Sequence, residues 1–124
     1  MIAAAWRPRL HQWLAGAIAN SGATAIEVGG VGDHVHLVAG LRPSHCLAEL
    51  MQDWKRGSSR WIHDDLGLRL FSWQEGYAYF SLSNDALPAV RQYVRNQEEH
   101  HRRVSLAEEM ERLFRAHGVE GWRV

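Results

Sequence analysis

The sequence predicts an α+β domain in which strands and helices alternate without a repeat, a low-complexity tract or a linker. Three observations predict it. Leu10, Trp13, Leu14, Ala17 and Ile18 recur at helical spacing, the residues from His34 to Leu41 alternate between two faces, and the segments follow the order helix, strand, strand, helix, strand, helix, helix. A chain of 124 residues buries one modest core, so residues 1–124 are expected to form a single domain. Any chemistry then sits on one scaffold or is shared between subunits.

Taken in order, Pro8 suits a first helical turn, and Asn20, Ser21 and Gly22 end the first helix. Ala25 to Val28 is a short β-compatible run before Gly29, Gly30 and Gly32, and in the next strand His34 and His36 share one face while Val35 and Leu37 share the other. The simplest reading is an antiparallel hairpin with a glycine-rich connection. Ser44 is expected to cap a second helix whose stripe is Leu47, Leu50, Met51, Trp54 and Trp61, interrupted around Gly57 by Lys55, Arg56, Ser58, Ser59 and Arg60. Tyr77 to Leu82 reads as a short aromatic strand closed by Ser83, Asn84 and Asp85. A third helix starts near Pro88 and carries Tyr93, Gln97 and His101 on one face. Ser105 with Glu108 makes a capping box for a fourth, with Leu106, Met110, Leu113 and Phe114 before Gly118. The sum is a two-layer sandwich, a ferredoxin-like split βαβ unit that lacks its N-terminal central strand and has extra C-terminal helices.

Composition narrows the function. Lys plus Arg and Asp plus Glu number 14 each, and this balance argues against a protein that coats nucleic acid by bulk charge, though a local basic patch is compatible with it. The basic residues are arginines apart from Lys55, which suits bidentate phosphate contact and fits compositional bias equally well. A single cysteine, Cys46, gives no disulfide framework and fits a reducing compartment. The apolar run Ile2 to Trp6 is far too short for a membrane span and is followed by Arg7 and Arg9, so a cytoplasmic protein without membrane segments is expected.

Two imidazoles at i and i+2 on a strand leave one face together, and His34 and His36 can bring two nitrogen donors to one metal ion. Two half-exposed histidines on a sheet face account for the same pattern. Further ligands would come from the Gln97 amide oxygen and from His100 or His101. Tyr93 lies one helical turn before Gln97, so a helix packed across the sheet presents a phenol beside such an ion. A phenol titrates near pH ~10 and needs a base or cation to become a nucleophile. Helical spacing alone is equally consistent with an amphipathic core tyrosine. His11, His45, His63 and His117 fit no partner pattern.

The stretch from Gly29 through His34-Val35-His36 to Val38 resembles the His-hydrophobic-His strand of the single-tyrosine HUH transposases. Tyr93-Val94-Arg95-Asn96-Gln97-Glu98-Glu99-His100-His101 resembles the catalytic helix of that family, and Trp73 to Tyr77 with Phe80 and Ser81 its preceding strand. Within the family the chain is most similar to the REP-associated tyrosine transposases and the IS200-like insertion-sequence transposases, over about Trp6 to Gly118. The resemblance implies Tyr93 as nucleophile and His34, His36 and Gln97 as ligands of Mg²⁺ or Mn²⁺. Ligand softness alone points to zinc or manganese, imidazole being unusual for magnesium. The implied reaction is metal-dependent cleavage and rejoining of single-stranded DNA beside a hairpin through a 5′-phosphotyrosine, by a homodimer whose sites are built in cis or in trans.

Lys55, Arg56, Ser58, Ser59 and Arg60 match the family's basic segment at the end of the second helix and are candidates for phosphate contact, as are Arg91 and Arg95, with Arg102 and Arg103 beyond them. A solvated helix end explains the same run. Trp73 and Tyr77 are candidates for stacking on unpaired bases or for the core. Relatives begin with a strand for which Met1 to Ala5 is too short, and the expected explanations are a start codon assigned too far downstream, a truncation or a strand borrowed by swapping. Two further readings compete: a truncated or domesticated relative that grips hairpin DNA without cutting it, and an α+β regulatory domain with no nucleic-acid role.

Overall fold

Pro8 lies in the first turn of helix α1 (Arg7–Asn20), where a missing N–H has no bond to break. The rest of the order is strand β1 (Thr24–Val31), strand β2 (His34–Gly40), helix α2 (Leu47–Asp65) and helix α3 (Leu87–Arg95). The computed structural model describes residues 2–73, 77, 79, 81–82 and 85–97. Among these residues the architecture is α+β and fits part of a split βαβ sandwich. The expected fourth helix lies outside the described residues.

The core forms where two rows of buried side chains, each spaced by one helical turn, meet the sheet. Leu10, Leu14 and Ile18 make the α1 row, and Leu50, Trp54, Ser58 and Ile62 make the α2 row. Ala25, Val28, Val35, Leu37 and Ala39 pack against them from the strands. Gly57 lets the two helices approach: a Cβ there would lie 2.8 Å from Trp13 Cη2. Two core indoles carry N–H groups that need partners, and serine hydroxyls supply them. Trp54 Nε1 donates to Ser21 Oγ at 3.0 Å, and Trp73 Nε1 donates to Ser58 Oγ at 2.9 Å. Each hydroxyl in turn donates a hydrogen bond to a helix carbonyl, Ser21 to that of Ala17 at 2.9 Å and Ser58 to that of Lys55 at 3.1 Å. Burial first, and then the nearby Arg7 guanidinium, push the pKa of His11 on α1 down.

The strands pair antiparallel, with Val31 opposite His34, Gly29 opposite His36 and Val28 opposite Leu37. A bulge between Ala25 and Glu27 shifts the alternation by one residue, so that Ala25 and Val28 both face the core while Glu27 joins Gly29 on the other side. Helix α3 covers that other side.

The structure departs from the sequence reading at three places. Gly29 and Gly30 belong to β1, and the hairpin turns through Gly32 and Asp33 alone. Glycine is uncommon inside strands, which is why the run reads as a connection, but here a neighbouring backbone occupies the side-chain space. Ser44 does not cap α2. His45 Nδ1 accepts the Arg42 amide at 2.9 Å and its Nε2 donates to the Ser21 carbonyl at 3.0 Å, and this clasp delays the helix to Leu47. Of the expected strand from Tyr77 to Leu82, residues 78 and 80 lie outside the description. Tyr77, Tyr79, Ser81 and Leu82 are exposed and in no strand. In a split βαβ sheet that strand pairs with the first one, and residues 2–6 form no strand either. The Ile2 amide instead donates to the Gly32 carbonyl at 2.7 Å.

Candidate functional site

Strand alternation sends His34 and His36 away from the core, to the face covered by α3. Their ring centroids are 4.8 Å apart at 78°. His36 sits opposite Gly29, and that glycine sets how closely α3 can approach: a Cβ there would lie 2.2 Å from the Val94 carbonyl oxygen. Val94, 3 % exposed, seats the helix against the sheet. The residues on either side of this contact then reach the imidazoles. The Tyr93 ring lies 5.8 Å from that of His36, centroid to centroid. The α-helix ends at Arg95, yet Gln97 remains one turn after Tyr93 and is 1 % exposed. Its Oε1 is 2.9 Å from His34 Nε2, and its Nε2 donates to the Tyr93 carbonyl at 3.4 Å, which orients the amide. His34, His36, Tyr93 and Gln97 therefore come together within one chain. His100 and His101 lie outside the described residues.

The donor set, two imidazoles and an amide oxygen, suits a borderline divalent ion better than a hard one. Neighbouring ligands in an octahedron with about 2.1 Å bonds are separated by roughly 3 Å. The 2.9 Å between His34 Nε2 and Gln97 Oε1 matches that edge. On the other side of the ring, His34 Nδ1 donates to Asp33 Oδ1 at 2.7 Å. Among the described residues no three of His, Cys, Asp and Glu converge, so a site here needs the glutamine as its third protein ligand.

The basic candidates divide. Lys55, Arg56, Ser59 and Arg60 lie on α2, in the helical layer on the opposite face of the sheet from the imidazoles, with Arg56 and Arg60 exposed. Ser58, expected among the phosphate contacts, instead has no exposed surface, and its hydroxyl is bonded to Trp73 and to the Lys55 carbonyl, so it belongs to the core. Its place in a row with Leu50, Trp54 and Ile62 carried that signal. Trp73 likewise packs edge-on against Phe71, ring centroids 5.2 Å apart, whereas Tyr77 is exposed.

Arg91 and Arg95 have a partner that spacing does not reveal. Glu27 Oε2 accepts from Arg95 at 3.0 Å and lies 3.5 Å from Arg91 Nε. Glu27 faces α3 only because of the bulge, and it ties the tyrosine helix to the sheet. The guanidiniums are about half exposed, so each pair contributes on the order of 0.5 kcal/mol. Glu27→Ala is expected to lower stability by about 1 kcal/mol in urea melts. Amide exchange should accelerate in α3 and stay unchanged in α1.

No helix among the described residues is long and apolar enough to cross a membrane. Neither the curated proteins nor the solved structures include a significant match to the chain. A family model described as "Transposase IS200 like" matches residues 1–97. That segment takes in the paired histidines, the tyrosine helix and the glutamine, and by this match the chain belongs to the IS200-like transposase family, whose function is in DNA transposition.

Proposed function

We propose that the chain is a metal-dependent single-stranded DNA endonuclease and strand transferase that cuts beside a DNA hairpin through Tyr93. The observation that carries this reading is the meeting of four side chains from β2, from α3 and from the residues just after it, with His34 and Gln97 in contact across 63 positions of sequence. His34, His36 and Gln97 would hold Mg²⁺ or Mn²⁺, which supplies Lewis-acid polarisation of the scissile phosphate. The Tyr93 oxygen forms a bond to phosphorus as the bond to the 3′ oxygen breaks. The phenolic proton is lost and the leaving oxygen gains one, so the products are a 5′-phosphotyrosine and a 3′ hydroxyl. The phosphodiester energy is kept in the covalent link, so rejoining needs no external energy source. Gln97 holds the Tyr93 carbonyl, and α3 itself is held by Gly29 and Glu27, so the nucleophile's backbone is fixed before substrate arrives.

Arg56, Arg60, Lys55 and Ser59 are proposed phosphate contacts on α2. Arg91 and Arg95 would add to them when phosphates displace Glu27. Likeness to the family supports a homodimer.

Tyr93→Phe is expected to abolish the covalent adduct with a single-stranded hairpin oligonucleotide in Mn²⁺ while leaving hairpin affinity within twofold. Adducts that persist would refute the assignment. Salt-sensitive hairpin binding by the wild type without any adduct would favour the binding-only reading instead.

A further inference from the structure

We propose that Asp33 is the positioning residue of the site: it fixes the tautomer of His34 whose Nε2 lone pair points at the cation. The inference rests on the metal-dependent reading above and extends it to a residue outside the ligand set. Neighbouring residues in a strand point to opposite faces, so a side chain at i−1 ordinarily cannot reach the ring at i. Asp33 escapes that rule because it is the last residue of the two-residue turn, and His34 is the first of β2. Its carboxylate accepts the Nδ1 proton at 2.7 Å, while half of its own side chain stays in water and the charge remains hydrated.

The ring lies between two acceptors. Nδ1 faces a carboxylate, and Nε2 faces the Gln97 amide oxygen at 2.9 Å. A neutral imidazole has one N–H, and it goes to the stronger acceptor, the carboxylate. In that tautomer the 2.9 Å Nε2–Oε1 contact has no proton to make it a hydrogen bond, and a cation between the two lone pairs takes the proton's place. The Gln97 amide cannot supply that proton by flipping without giving up its bond to the Tyr93 carbonyl. A carboxylate behind a ligating histidine also fixes the orientation of its ring.

Nitrogen-15 correlation spectra of the metal-free protein, with His34 assigned through His34→Gln, read the tautomer directly. The wild type should show His34 with its proton on Nδ1, and Asp33→Ala should shift the population toward Nε2. Mn²⁺ titration followed by electron paramagnetic resonance should show a 10- to 100-fold loss of affinity, by the usual cost of removing such a partner. Asp33→Asn, which keeps an acceptor but no charge, should lose less. Hairpin affinity without metal should not change. A wild-type His34 protonated on Nε2, or wild-type Mn²⁺ affinity in Asp33→Ala, overturns the inference alone. Absence of Mn²⁺ binding by the wild type overturns the metal reading and this inference with it.

Discussion

Under the proposed tyrosine chemistry, replacing Gly29 by alanine is expected to lower the rate of adduct formation about 100-fold without unfolding the protein. The added Cβ would stand 2.2 Å from the Val94 carbonyl oxygen and 3.0 Å from its carbonyl carbon, both backbone atoms of α3. A flexible side chain could rotate away from such a clash, but a helix backbone can relieve it only by moving as a body. Ordinary contact requires a displacement of roughly 1 Å, and an error of that size in the reacting groups costs about 10²-fold. The shift carries Tyr93 and Gln97 with it, since they flank the point of contact. The core on the other face of the sheet is untouched, so the melting transition should change far less than the rate. A ring-to-ring nuclear Overhauser effect between His36 and Tyr93 should weaken in the variant. If that effect and the rate are both unchanged, Gly29 does not set the position of the helix.

Leu10→Ala is expected to cost about 2–5 kcal/mol of stability, the range for large-to-small changes at closed core sites. Leu10 is fully buried in α1, in the cluster with Ile18, Trp54 and Ile62, so little can collapse into the space it leaves. A domain of this size has on the order of 5–15 kcal/mol in total, and the melting temperature should fall by roughly 10 °C. The midpoint in urea should move while the slope is retained. A loss below about 1 kcal/mol would mean that Leu10 is less tightly enclosed than its zero exposure implies.

Helix α1, the hairpin and the start of α3 were legible because each is set by local periodicity. Pro8 marks one helix start, Pro88 lies in the first turn of another, and the alternation around His34 and His36 gives both the strand and its outward face. Gly29 and Gly30 misled because a residue without a side chain carries no periodicity: the backbone that fills the side-chain space at Gly29 lies 65 positions away at Val94, and at Gly30 it is that of His34 and Val35 on the paired strand. Ser58 misled in the opposite direction. Beside Lys55, Arg56 and Arg60 it reads as part of a polar surface, and only its 0 % exposure and its bond from Trp73 assign it to the core. Glu27 and Asp33 drew no notice because single carboxylates among fourteen acidic residues have no pattern.

By itself the sequence determined which residue types stand at the chemical positions and which faces they occupy, because imidazole pairing on a strand and phenol-to-amide spacing on a helix are set by backbone periods of two and 3.6 residues. Only the tertiary structure decided that these faces meet in one chain, how far apart they stand, and which carboxylates hold them there. Distance between remote segments depends on packing, and packing here turns on a bulge at Ala25/Glu27 and a missing side chain at Gly29, neither of which has a local signature.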